Sequence, residues 1–168
     1  MKKMDVALFA IIASFTVGLS QVGSYLVNAN LAQHQSVQVF SFLHFTHVRN
    51  MGGIFGIMQG KGWVFATLSF LVLAVLVTYI CMARNIRRYE YICYGLIVGG
   101  GASNILDRFI YGSVVDFIDV RGISFWHYIF NTADVMIHLG IWPLVLISLL
   151  WHQKEENGGK EGERPAAG

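Results

Sequence analysis

Four stretches of the chain are apolar over roughly the width of a membrane: about 6–27, 63–83, 91–106 and 133–151. A helix needs about 20 apolar residues to cross the hydrocarbon core of a bilayer. The pattern therefore predicts four transmembrane helices, the third of them short and glycine-rich. Two loops separate them on one side, about 28–62 and about 107–132. The first of these is too apolar for a plain linker. Val37, Val39, Phe40, Phe42, Leu43, Phe45 and Val48 are β-prone residues on both alternating faces, which predicts one or two strands lying on the membrane surface. Gly52, Gly53 and Gly56 around Ile54 and Phe55 then predict a tight turn. From Gln153 onward the chain turns polar and is dense in Lys, Glu and Gly. A single integral membrane domain over 1–152 with a disordered tail over 153–168 is expected.

Composition narrows the class. Hydrophobic residues make up 55% of the 168 residues and charged residues 13%, against about 25% charged in soluble proteins. A soluble domain of this size could not hide that much apolar surface. The net charge of +2 supplies no basic field for nucleic acid. Lys and Arg are unevenly placed. Lys2, Lys3, Arg84, Arg87, Arg88, Lys154, Lys160 and Arg164 fall on one side of the four spans; Arg49, Lys61, Arg108 and Arg121 fall on the other. The positive-inside rule then puts both termini in the cytoplasm and the two loops outside. The start, Met1–Ser20, has the basic and apolar regions of a cleavable signal peptide, but the apolar run continues through Val27 and suits a retained span. Cys81 and Cys93 flank the basic stretch Arg84 to Arg88 and form neither a disulfide framework nor a metal spacing.

The acidic residues are the most informative. Asp5, Glu90, Glu155, Glu156, Glu161 and Glu163 are solvated or paired by position. The other four, Asp107, Asp116, Asp119 and Asp134, cluster in and around the second outer loop. Asp134 heads an apolar helix. It reads either as an N-terminal cap, which acids favour, or as a site acid. The loop between spans three and four lets their outer ends meet, and with them acids from both. Two close carboxylates do not both ionise easily, and one keeps a proton. Such a pair can take a proton from water and give one to a leaving amine, which is aspartic-protease chemistry.

Other chemistries have weaker footing. The chain has no H-E-x-x-H zinc motif and no G-x-S-x-G elbow. His44 and His47 would face opposite ways on a strand. Asp134 and His138 share a helix face, which fits a structural hydrogen bond better than a metal. Gly95 and Gly99 form a G-x-x-x-G followed by Gly100 and Gly101, a signature of close helix packing.

Several segments together resemble one family. Gly99-Gly100-Gly101-Ala102-Ser103-Asn104-Ile105-Leu106-Asp107-Arg108 resembles the glycine-rich Asn-x-x-Asp-Arg segment of the bacterial lipoprotein signal peptidases (signal peptidase II). Val114-Val115-Asp116-Phe117 resembles their Val-Val-Asp-Phe segment, and Phe130-Asn131-Thr132-Ala133-Asp134 with Ile137 their Phe-Asn-x-Ala-Asp-x-x-Ile segment. Arg49-Asn50-Met51-Gly52 with Phe55 resembles their Asn-x-Gly-x-x-Phe loop. The resemblance covers about residues 4–152. It implies a membrane all-α bundle of four transmembrane helices with a small extracytoplasmic β-cradle, in the bacterial inner membrane. It implies a peptidase that removes signal peptides from diacylglyceryl-modified prolipoproteins, cutting before the lipidated cysteine, without metal or organic cofactor. The implied partners are a lipidated prolipoprotein and membrane lipid, with the enzyme a monomer. Asp116 and Asp134 would be the catalytic pair. Asn104 and Asn131 would orient the pair or the substrate. Asp107 and Arg108 would be a structural or supporting pair. Asn50, with Gly52, would sit on the loop that closes over the substrate, and Ala133 would support the site within its motif.

The chain departs from the family pattern at Ser103, where a glycine usually precedes the motif asparagine, at Gly53 and Ile54, where small alanines are usual, and in the first helix. The family's first helix carries Asp-x-x-Ser-Lys, whereas Ser20 and Ser24 occupy the two charged positions here. That departure opens an alternative, a divergent or non-catalytic member that binds lipidated peptides. A small proton-coupled transporter is a further alternative, but its acids would be expected near mid-membrane.

Overall fold

Residues 2–53, 57–83 and 85–162 are described in a computed structural model, with side chains over 3–151 of that range. Ile54, Phe55 and Gly56 of the expected turn, Arg84 of the basic stretch, and the tail from Glu163 lie outside the described residues.

The expected runs are helices: α1 over Lys2–Asn30, α2 over Gly62–Met82, α3 over Arg88–Tyr111 and α4 over Thr132–Gly162. Among the described residues, three segments are long and apolar enough to cross a membrane: Lys3–Asn30, Gly62–Met82 and Thr132–Trp151. α3 is longer than the apolar stretch 91–106 predicts but less uniformly apolar, because Ser103, Asn104, Asp107 and Arg108 occupy its last turns. α4 also differs from expectation. The backbone stays helical past Trp151 to Gly162, where an unstructured tail was expected. Lys, Glu and Gln are good helix formers, and extending an existing helix avoids the cost of nucleation.

α3 packs against each of the other three helices, and its glycines make that possible. A Cβ on Gly99 would lie 2.6 Å from the Ala13 carbonyl oxygen of α1. One on Gly100 would lie 2.6 Å from the Ala133 carbonyl oxygen of α4, and one on Gly101 3.0 Å from the Leu73 side chain of α2. Any larger residue would push a neighbour away, so the run that looks weak as a membrane span is the centre of the bundle.

Four strands cap one end: β1 over Ser36–Phe40, β2 over Leu43–Asn50, β3 over Val114–Val120 and β4 over Ile129–Phe130. They form one antiparallel sheet in the order β1-β2-β3-β4. The apolar first loop thus supplies β1 and β2, and the second supplies β3 and β4. A small core of Val27, Val115 and Phe117 fastens the end of α1 to β3. Asp116 sits between those last two buried residues, opposite Val48 of β2.

Candidate active site

Asp116 and Asp134 come from different elements and meet through one asparagine. β3 carries Asp116, which is 5% exposed. Asp134 is the third residue of α4. Just before that helix, Asn131 caps it. Its side-chain oxygen accepts from the Asp134 backbone N–H at 3.0 Å, while the Asp134 carboxylate accepts from the Asn131 N–H at 3.2 Å. This is a reciprocal capping box. The same Asn131 donates from Nδ2 to Asp116 Oδ1 at 2.9 Å and to Asn104 Oδ1 at 3.0 Å. Asn104 in turn donates to Asp134 Oδ1 at 2.9 Å. The cap reading of Asp134 holds, and the same capping aims its carboxylate at Asn104 and Asn131.

Asn50 closes the other side. Its Nδ2 donates to Asp116 Oδ2 at 3.1 Å and to the Gly53 carbonyl at 3.2 Å, and its Oδ1 accepts from the Gly52 N–H at 3.0 Å. One side chain thus folds the turn after β2 and reaches the carboxylate. Both Asp116 oxygens are held by neutral amides. Burial, and next the nearby Asp134 charge, push the Asp116 carboxyl up to about 7, while the Asn50 and Asn131 donors pull the other way. Burial dominates because neutral donors only partly replace water around an ionised group.

Asp107 and Arg108 separate. Side chains of adjacent helical residues diverge, and these two make different contacts. Asp107 accepts from Gln21, Ser24 and the Val115 N–H. Arg108 donates to the Gly52 carbonyl at 2.8 Å, and its other terminal nitrogen is buried without a partner among the described residues. Gly52 is buried, and a Cβ there would collide with the Ile57 carbonyl. Ala133, 2% exposed, packs its carbonyl under Gly100. All nine residues singled out in the sequence therefore lie at or beside this cluster. Gln21 was not anticipated, and Ser103 was noted only as a departure from the family pattern. Ser24 was noted only as a missing charge. The three-residue spacing of Gln21 and Ser24, which puts both on one face of α1, was the available signal.

The other marked residues lie elsewhere. Asp119 pairs with Arg121 at 2.7 Å on the far end of β3. His47 is buried against the Leu31 carbonyl, and His138 bonds the Asp134 backbone carbonyl rather than its carboxylate.

The model of the signal peptidase (SPase) II family matches residues 12–151. The chain belongs to the signal peptidase II family. Among curated relatives, the lipoprotein signal peptidase of Nostoc punctiforme is 37% identical over 142 residues, covering 84% of this chain and 89% of the relative. That of Fusobacterium nucleatum is 32% identical over 139 residues, covering 82% and 83%. A solved bacterial membrane enzyme structure superposes with a TM-score of 0.76 at 28% identity, covering 95% of this chain and 93% of that one. The chain is a multi-pass membrane protein and an aspartic-type signal peptidase. The match to the signal peptidase II model runs through Ser20 and Ser24 as well as Asp116 and Asp134, and nothing in it supports a divergent member. It also displaces the transporter alternative.

Proposed function

We propose that this signal peptidase removes signal peptides from diacylglyceryl-modified prolipoproteins, cutting just before the lipidated cysteine, with Asp116 and Asp134 as the catalytic pair. The observation that carries the reading is the single Asn131 side chain and backbone binding both carboxylates. That arrangement fixes two acids from separate elements side by side in a largely water-excluded setting.

At rest the pair holds one proton, on Asp116. A water gives a proton to the ionised Asp134 as its oxygen bonds the scissile carbonyl carbon, and the carbonyl oxygen takes the Asp116 proton. In the collapse that follows, the amide nitrogen takes the proton from Asp134 and the C–N bond breaks. One hydroxyl of the intermediate returns a proton to Asp116, so the pair ends as it began. Asn104, Asn131 and Asn50 hold the carboxylates in register, and preorganised amides cost little reorganisation during the reaction. Gly52 and Arg108 shape the wall beside Asn50, and Ala133 and Asp107 support the cluster from behind. No metal or organic cofactor enters these steps.

α3 is the fourth span of one domain over about 1–152, with both termini cytoplasmic and the site at the outer interface. The uneven Lys and Arg distribution supports this orientation. The enzyme acts as a monomer in contact with lipid. The location suits a substrate whose acyl chains keep the scissile bond at that depth. The test is cleavage of a diacylglyceryl-modified precursor beside the same precursor without lipid, followed by sequencing of the new N-terminus. Cleavage of the lipidated form alone, before its cysteine, is the expected result. Equal cleavage of both would overturn the substrate assignment.

A further inference from the structure

We propose that Gln21 and Ser24 of α1 are positioning residues for the catalytic pair, acting through Asp107 and Ser103. This rests on the reading of Asp116 and Asp134 given above.

Asp107 is 1% exposed. Its Oδ1 accepts from Gln21 Nε2 at 2.8 Å. Its Oδ2 accepts from Ser24 Oγ at 2.9 Å and from the Val115 N–H at 3.0 Å. Among the described residues no cation lies within ion-pair distance of it. A buried carboxylate held only by neutral donors depends on the direction of each one. The third donor is the backbone amide of the residue just before Asp116. Where Asp107 sits therefore helps set where the Val115–Asp116 peptide sits.

The same Gln21 amide reaches the other arm of the site. Nε2 also lies 2.9 Å from Ser103 Oγ and 3.2 Å from the Ser103 carbonyl oxygen. Ser103 precedes Asn104, which donates to Asp134. One side chain of α1 thus touches the supports of both carboxylates. α1 can come this close because Gly23 faces Phe117 and Thr132, where a Cβ would lie 3.0 and 3.2 Å away. The charges that the family resemblance leads one to expect at positions 20 and 24 are absent, and a hydroxyl and an amide brace the site in this chain.

The test uses the full-length enzyme in lipid with a diacylglyceryl-modified prolipoprotein, comparing Gln21→Leu, Ser24→Ala and Ser24→Thr. Each of the first two should lower kcat about tenfold, the scale of one lost hydrogen bond to a charged group, with KM within about twofold. The alkaline limb of the kcat–pH profile should also move, because the settings of Asp116 and Asp134 shift relative to each other. The charged groups facing Asp116 are Asp134 from α4 and Asp107 and Arg108 from α3, and all three remain in these variants. Ser24→Thr, which keeps the hydroxyl, should restore kcat and the limb. Parental kcat in folded Gln21→Leu and Ser24→Ala would overturn the proposal. So would a loss of kcat with an unmoved alkaline limb and no rescue by Ser24→Thr. If Gln21→Leu does not fold, the two Ser24 variants decide alone. Asp116→Asn serves as the control. Cleavage surviving in it sinks the catalytic assignment itself, whereas an inactive Asp116→Asn beside parental Gln21 and Ser24 variants sinks only the bracing.

Discussion

Asp116 and Asp119 lie three residues apart on β3, and their surroundings make them different acids. Asp116 is buried between Val115 and Phe117 and, among the described residues, receives only amide donors. Asp119 is partly exposed and is gripped by the Arg121 guanidinium and the Thr46 hydroxyl. Burial leads the shift of Asp116 and carries it up to about 7, with the Asp134 charge adding to it. Burial is also the largest single influence on Asp119 and works against its charge, but it is outweighed there. Arg121 and Thr46 together hold that carboxyl below the usual range. On the proposed role of Asp116, the contrast shows what a proton-shuttling carboxylate needs from its fold. It needs enough hydrogen bonds to fix its position, and no cation in ion-pair contact to pin its charge.

The largest effect expected from this contrast is on catalysis. Asp116→Asn should lower cleavage at least about a thousandfold, the loss typical of an essential acid or base. Asp119→Asn should stay within a few-fold of the parent in the same assay. Comparable losses in both would erase the distinction between the two ends of β3.

Next comes pH. Because the folded-state value of Asp116 lies above the ordinary carboxylate value, the folded protein binds the proton more tightly than the unfolded chain. Its contribution to stability is therefore greatest at low pH and falls as pH rises from about 4 to about 7, by roughly 4 kcal/mol if the whole shift is expressed. Asp119 has the opposite sign. Its contribution is present above the ordinary value and is lost as pH falls through its lowered one. Thermal unfolding in a fixed detergent should thus show Asp116→Asn with a flatter profile between pH 4 and 7 and a higher midpoint at pH 7. A parental slope would place the proton elsewhere. Activity should fall above about pH 7, where the pair loses its shared proton.

Asn131→Ala probes the link between the two arms. It removes the donor to Asp116 and the cap of α4 together. A loss of about a hundredfold in kcat is expected, with a cap penalty of about 1 kcal/mol in stability. A stability loss with parental kcat would make Asn131 a cap alone. The smallest effect belongs to Arg121→Ala. The ion pair it breaks is half-exposed and is worth less than about 1 kcal/mol. NMR titration should find Asp119 returned toward the ordinary carboxylate value, with cleavage unchanged.

Much of this arrangement is legible in the sequence, and the limits have physical causes. Apolar runs long enough to cross a membrane announce helices, and β-prone residues in a loop announce strands. The gathering of Asp107, Asp116, Asp119 and Asp134 around one loop marks the region of the candidate site. What the pattern does not carry is pairing. Nothing in the spacing says that Asn131 serves Asp134 as a cap and Asp116 as a donor at once. Asp107 and Arg108 look like a pair because opposite charges stand side by side, but the helix turns one toward α1 and β3 and the other toward Gly52. Ser24 reads as a lost charge because a hydroxyl has no long-range signature, and its role appears only when its partner is known. The glycines of α3 weaken its apolar signal for the same reason that they make it the central helix.

A gel-shift cleavage assay decides whether Asp116 and Asp134 are the catalytic pair. The parent, Asp116→Asn and Asp134→Asn proteins, each shown to be folded, would be given a diacylglyceryl-modified prolipoprotein in lipid. The catalytic pairing of Asp116 with Asp134 predicts conversion by the parent and none by either variant. Conversion by either variant would contradict it, and so would a folded parent that leaves the substrate uncut.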